Sequence, residues 1–374
     1  MPLSPVALTQ DLIRFKTINP PGDEQPCAEH LARLLEAAGF AVERVPFGAQ
    51  RMQLIARIGG SADEPPLAFT GHLDTVPLAM QPWSQDPFAA KIIDGRLYGR
   101  GASDMKSGVA AFVAAAVDLA APLRETPGLL LIITAGEETG CAGAFELARH
   151  PDLLGQAGAL VVAEPTGNMP MVGHKGALWL RAETRGVTAH GSIPEKGVNA
   201  IYRAARAVAA LESFVFEVPP HAVLGAPTLN VGTIAGGLNI NSVPDHCAIG
   251  IDIRTIPGQD NERIRAAIVD LLGDDIALHD VLDVASVWTD PDEPWMAATL
   301  ATVQDITGTH APIGAASFFT DASALKPALG DPPTVILGPG ELALAHQTDE
   351  YCRIDRLEAA TAIYTSLIRA WCDV

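Results

Sequence analysis

Apolar positions along the first part of the chain come in short unbroken runs separated by stretches that read as helices. "PLAFTGHLD" (66–74), "LLLIITA" (129–135) and "ALVVAE" (159–164) each suit one buried strand, while "LARLLEAAGF" (31–40) and "GVAAFVAAAVDLAA" (108–121) lie between and before them as helices. Alternation of this kind predicts an α/β domain around a largely parallel sheet. Near position 175 the pattern changes. "ALWLRAET" (177–184) alternates apolar and polar residues, helix-period segments follow at 198–214 and 261–273, and further strands are expected at 227–234, 245–254 and 277–286. The resulting order β-α-β-β-α-β is that of a small ferredoxin-like domain. After "TDPDEP" (289–294) the α/β pattern resumes through "PTVILGPG" (333–340) to a C-terminal helix. The expected organisation is therefore one larger domain built from 1–174 and 288–374, with 175–287 inserted into it.

Composition narrows the function classes. A chain of 374 residues that is 48% hydrophobic buries a large core, and its net charge of −19 argues against a polyanionic partner such as nucleic acid. No run is long enough to span a bilayer, and "MPLSPVALTQDLIRFKTINPP" has no basic n-region followed by an apolar block, so a soluble cytoplasmic protein with no membrane association is expected. The cysteines, Cys27, Cys141, Cys247, Cys352 and Cys372, are odd in number and lack CxxC spacing, which indicates neither a disulfide framework nor a zinc knuckle. "YGRGASDMKSG" (98–108) is glycine-rich, but Lys106 does not follow a G-x-x-x-x-G spacing, which rejects a phosphate-binding P-loop.

The apolar runs also deliver chemistry. "PLAFTGHLD" ends on His72 and Asp74, "LLLIITA" leads into Glu137 and Glu138, "ALVVAE" ends on Glu164, and His346 follows "PTVILGPG". In open α/β sheets the functional crevice lies outside the carboxyl ends of the strands, so groups far apart in sequence converge there. Asp104 precedes the helical segment at 108–121, where its charge meets a favourable helix dipole. Histidines and carboxylates without matched cysteines suit zinc, or cobalt or manganese in the same geometry. Three carboxylates with a bound hydroxide balance two divalent cations in a poorly solvated cleft. Within "HLD", residues i and i+2 of an extended segment point the same way, which predicts that Asp74 accepts the second ring N–H of His72.

These residues sit in motifs that resemble a known family. "GHLDTVP" (71–77), "LYGRGASDMKSG" (97–108), "GEETG" (136–140), "AEPTG" (163–167) and "AHQTDEY" (345–351) are similar to those of the zinc metallopeptidases that include acetylornithine deacetylase, succinyl-diaminopimelate desuccinylase, aminoacylase and glutamate carboxypeptidase. The resemblance implies a catalytic metal-binding domain in which Asp104 bridges two zinc ions, with His72 and Glu164 on one and Glu138 and His346 on the other. It makes Glu137 the general base; Asp74, which fixes the His72 tautomer, is counted with the catalytic residues. "RGVTAHGSIP" (185–194) looks like the segment whose histidine, here His190, crosses a homodimer interface into the partner's active site, so that the inserted domain serves as lid and dimerisation module. "GGLNINSVPDHC" (236–247) and "DIRTIPG" (252–258) nominate Asn241 and Arg254 as substrate-binding residues, and "FFTDASA" (318–324) nominates Thr320. The guanidinium of Arg254 suits a substrate carboxylate, although a surface ion pair with Asp252 on the same strand face is the competing reading.

Within that family the surroundings most resemble acetylornithine deacetylase, which implies removal of an acyl group from a small N-acyl amino acid. Asp321 departs from that pattern, which usually has Glu, and bears on the choice of side chain if it faces the substrate. A desuccinylase, a dipeptidase or carboxypeptidase, and a non-catalytic metal-binding scaffold are the alternatives.

Overall fold

The computed structural model describes residues 2–60, 64–310 and 312–374. It divides into two compact units. The larger comprises Met1–Gly173, Trp288–Ala315 and Thr320–Val374, and the smaller His174–Val287 with Ala316–Phe319. This division places His174 with the smaller unit and adds to it Ala316–Phe319, a segment the sequence pattern kept in the larger one.

The larger unit is organised by its sheet. The strands Ala41–Pro46, Met52–Ile58, Leu129–Thr134, Leu67–His72, Ala159–Val162, Thr334–Ile336 and Met171–His174 lie side by side in that order. The four central ones, from Leu129–Thr134 to Thr334–Ile336, are mutually parallel, while the flanking neighbours are antiparallel. Unbroken apolar runs form these central strands because both faces are covered. All six residues of Leu129–Thr134 and of Leu67–His72 are buried. The helix Lys106–Asp118 is buried over most of its length, and Phe69, Phe112 and Tyr364 make the aromatic contacts between sheet and helices. Each fully buried Leu, Ile or Phe of this core contributes about 1.5–3 kcal/mol. Two strands, Ala41–Pro46 and Met52–Ile58, extend the sheet on a side that the run-by-run reading of the sequence had left unassigned.

The smaller unit has the expected β-α-β-β-α-β order. Its sheet runs Thr228–Gly236, His246–Thr255, Gly176–Arg185, Ile276–Val284, with every neighbour antiparallel. The strand His246–Thr255 buries every second residue, as the two-residue side-chain period of a half-covered sheet requires. Leu178, Leu180, Ile249, Ile251 and Ile253 pack against Ala204, Leu211 and Ile268 of the two helices. Asn199 caps the first helix by accepting the Tyr202 N–H, and Asp260 caps the second by accepting that of Glu262. No helix among the described residues is long and apolar enough to cross a membrane. The five cysteines are free and buried.

Candidate metal centre

Three parallel strands point their carboxyl ends at one place. His72 closes the strand Leu67–His72, Glu137 and Glu138 lie in the turn after Leu129–Thr134, and Glu164 lies just past Ala159–Val162. Asp104 enters from the loop before the helix Lys106–Asp118, and His346 from the loop after Thr334–Ile336. The strands thus bring together side chains that the chain separates widely.

The distances are those of a shared site. His72 Nε2 stands 3.2 Å from Asp104 Oδ1, 3.9 Å from Glu137 Oε2 and 3.9 Å from Glu164 Oε1. His346 Nε2 stands 3.0 Å from Glu138 Oε2 and 3.5 Å from Asp104 Oδ2. Asp104 therefore shows one oxygen to each histidine. Ligand atoms of His72, Glu137 and Glu164 lie within 4.8 Å of one another, as do those of His72, Asp104 and Glu138. Glu138 Oε1 is buried without a hydrogen-bond partner. A buried carboxylate oxygen with nothing to bind, in a ring of hard oxygen and imidazole donors, is what a divalent cation satisfies, so the residues present fit metal.

Electrostatics point the same way. Burial pushes the Glu137 and Glu164 carboxyls well above the ordinary range, because four acids share little water. Burial would also raise Asp104, but hydrogen bonds from His346 and His72 outweigh it and hold the carboxyl below its usual range. His346 is lifted to about 10, first by its hydrogen bond to Asp104 and then by that to Glu138. The carboxylates around it thus favour positive charge at this place.

Asp74 faces both His72 and the turn after the next strand. The second ring nitrogen of His72, Nδ1, meets the Asp74 backbone carbonyl at 2.9 Å, while the carboxylate Oδ1 is 3.5 Å away. The carboxylate is turned toward the next strand's turn: Oδ1 accepts the N–H groups of Gly136 and Glu137, and Oδ2 accepts those of Glu138 and the Asn19 side chain. Its lone pairs are better used on amides that no strand partner satisfies. Asn19, in "INPP", was not singled out from the sequence, and nothing local marks it.

Thr320 is buried, and its hydroxyl accepts the Ala322 N–H. Asp321 is only 2% exposed, and its Oδ2 accepts the Thr134 hydroxyl at 2.6 Å.

Three nominated residues belong to the smaller unit. His190 is exposed, its Nδ1 lies 2.8 Å from the Ser192 hydroxyl, and its backbone bridges to Ser242. Gly191 donates its N–H to the Asn241 carbonyl at 2.7 Å, so the His190 and Asn241 segments are neighbours. Arg254 pairs with Asp252, Nε to Oδ1 at 2.9 Å, and lies over the Trp179 ring. The competing ion pair is therefore present in this conformation.

Residues 68–370 match the model of the peptidase family M20/M25/M40. The chain is 31% identical to an acetylornithine deacetylase of Myxococcus xanthus, covering 93% of this chain and 92% of that one. It is also 31% identical to a succinyl-diaminopimelate desuccinylase of Cereibacter sphaeroides, covering 99% of each. Among solved structures, a dinuclear metal-binding peptidase of Bacillus subtilis has the same fold, with a TM-score of 0.72 at 15% identity over 99% of this chain and 98% of that one.

Proposed function

The chain belongs to the peptidase family M20/M25/M40, and from that premise we propose that it is a two-metal amidohydrolase removing an acyl group, acetyl in the first instance, from a small amino acid with a free carboxylate. One observation carries the reading: Asp104 stands between His72 and His346, with Glu164 and Glu138 beside them and Glu137 buried among them. His72, Asp104 and Glu164 would hold one ion, and Asp104, Glu138 and His346 the other. Two zinc ions, or cobalt or manganese in their place, would supply Lewis acidity and a low-pKa water in the cleft.

The chain's own groups do the rest. Glu137 receives a proton from the attacking water as the new C–O bond forms, and returns one to the amide nitrogen as the C–N bond breaks, leaving the free acid and the amine. A carboxyl raised by burial is suited to both transfers, since its proton affinity lies closer to neutral pH. Asp74 holds the turn that carries Glu137 and Glu138. Asn241, Arg254 and Thr320 bind the substrate in this reading, with Arg254 exchanging Asp252 for the substrate carboxylate.

His190 acts in the partner's site of a homodimer. Support for that assembly comes from the smaller unit, whose edge strand Thr228–Gly236 and the residues after it expose Ile234, Leu238 and Ile240. The buried, unpaired cysteines accord with a reducing cytoplasmic setting.

Desuccinylation is the second reading, because relatives bearing both names are equally similar to this chain. The deciding experiment is a hydrolysis screen with zinc or cobalt over N-acetyl, N-succinyl and N-formyl amino acids and a set of dipeptides. Cleavage led by N-acetyl amino acids supports the reading. Preference for N-succinyl substrates or dipeptides moves the assignment, and no cleavage of any of them favours a metal-binding scaffold.

A further inference from the structure

Glu350 is wholly buried, and no step above uses it. Its Oε1 accepts the backbone N–H groups of Ser103 at 2.7 Å and Asp104 at 3.0 Å. Its Oε2 accepts the Gly101 N–H at 3.0 Å and Arg100 Nη1 at 2.8 Å. All four donors lie on one short loop, and that loop ends on Asp104, 246 residues away in sequence.

The segment that carries His346 is tied to the same loop by other contacts. The Ser103 hydroxyl donates to the Tyr351 carbonyl at 2.8 Å and accepts the Glu341 N–H at 3.0 Å. The Glu350 carbonyl accepts the Gly99 N–H at 2.9 Å. At Gly340 the two backbones approach so closely that a Cβ would stand 2.1 Å from the Ser103 carbonyl oxygen. Only glycine fits there.

We propose that Glu350 is a positioning residue for the metal centre: it locks the Asp104 loop onto the His346 segment and thereby sets how the Asp104 carboxylate faces His346. The inference rests on the reading of Asp104 and His346 as metal ligands. The chemistry explains why a carboxylate is needed. Every group facing Glu350 donates a hydrogen bond, so the residue must be acceptor-only. A glutamine of identical shape turns an NH₂ toward two N–H donors whichever way it lies, and an aspartate is one methylene short. Neither side chain holds the loop in place, and coordination is sensitive to displacements of tenths of an ångström in its ligands.

The test is a cobalt titration of the full-length chain, followed by visible absorption, with circular dichroism and thermal melting on the same samples. Wild-type protein first tests the underlying reading, since failure to take up cobalt overturns the metal centre itself. Given uptake, Glu350→Gln is expected to keep the wild-type circular dichroism and to lose cobalt affinity about 10- to 100-fold. Hydrolysis should recover in part at saturating cobalt. Ser103→Ala, which removes a smaller tie on the same loop, is expected to weaken cobalt in the same direction by a lesser factor. A Glu350→Gln protein that melts earlier yet binds cobalt as tightly as wild type overturns the proposal and leaves Glu350 a structural residue. If Glu350→Gln does not fold, Ser103→Ala decides: weakened cobalt binding supports the proposal, and unchanged binding overturns it.

Discussion

The carboxylate of Asp74 holds the backbone of Glu137, with Oδ1 3.2 Å from its amide nitrogen. The same carboxylate accepts the N–H groups of Gly136 and Glu138. One buried residue thus sets the turn that presents both neighbouring glutamates. Asp74→Ala strands these amides without partners, and each buried unsatisfied donor costs about 1–3 kcal/mol. The expected outcome is a loss of about 3 kcal/mol or more in denaturant unfolding, together with a fall in kcat. Stability within a few tenths of a kcal/mol of wild type would mean that water or a shifted turn replaces the carboxylate.

Glu137 and Glu138 are expected to separate by function. Glu137→Gln retains two metal ions by elemental analysis and loses turnover by about a thousandfold, since it removes the proton carrier. Glu138→Gln loses metal, because the 3.0 Å contact to His346 marks it as the partner on that side. The opposite pattern, metal loss at Glu137→Gln and intact metal at Glu138→Gln, reverses the assignment. The proximity of Glu137 to His72 and Glu164 makes this a real contest.

Metal uptake should release protons. Without metal, burial holds the Glu137 and Glu164 carboxyls well above their ordinary range, and hydrogen bonds to Asp104 and Glu138 keep His346 protonated up to about pH 10. A cation binds the deprotonated ligands, so lowering the pH adds protons that compete with it and weakens affinity. Calorimetric titrations in two buffers of different ionisation enthalpy measure the released protons directly. Uptake with no buffer dependence, or an affinity flat from about pH 6 to about pH 8, contradicts this.

Arg254→Leu is expected to reduce hydrolysis of N-acyl amino acids far more than that of their carboxamides, which offer the guanidinium no charge. Equal losses on both substrates would assign Arg254 to its ion pair with Asp252 alone.

His190 is tested by mixing. Glu137→Ala and His190→Ala chains, each nearly inactive, are co-expressed so that random pairing gives mixed dimers, about half of the total. In a mixed dimer one site lacks both groups and the other regains both, so activity should recover to about a quarter of wild type per subunit. Differentially tagged heterodimers that stay as inactive as their parents exclude a shared site.

Much of this was legible in the chain because it is governed by short-range pattern. Apolar runs such as "LLLIITA" make buried parallel strands, and residues that follow them sit at the sheet's carboxyl edge, which is why His72, Glu137, Glu138 and Glu164 meet. The two-residue alternation of "DHCAIGIDIR" likewise places the half-covered sheet of the smaller unit. What pattern does not carry is the choice of hydrogen-bond partner once the chain has closed on itself. That Asp104 faces both histidines, that Asp74 also holds the amides of the Glu137 turn, and that Asp321 points at Thr134 all depend on loops brought together across the whole larger unit. Burial removes water as a partner, and each acceptor then takes whichever donors the packed backbone leaves unsatisfied.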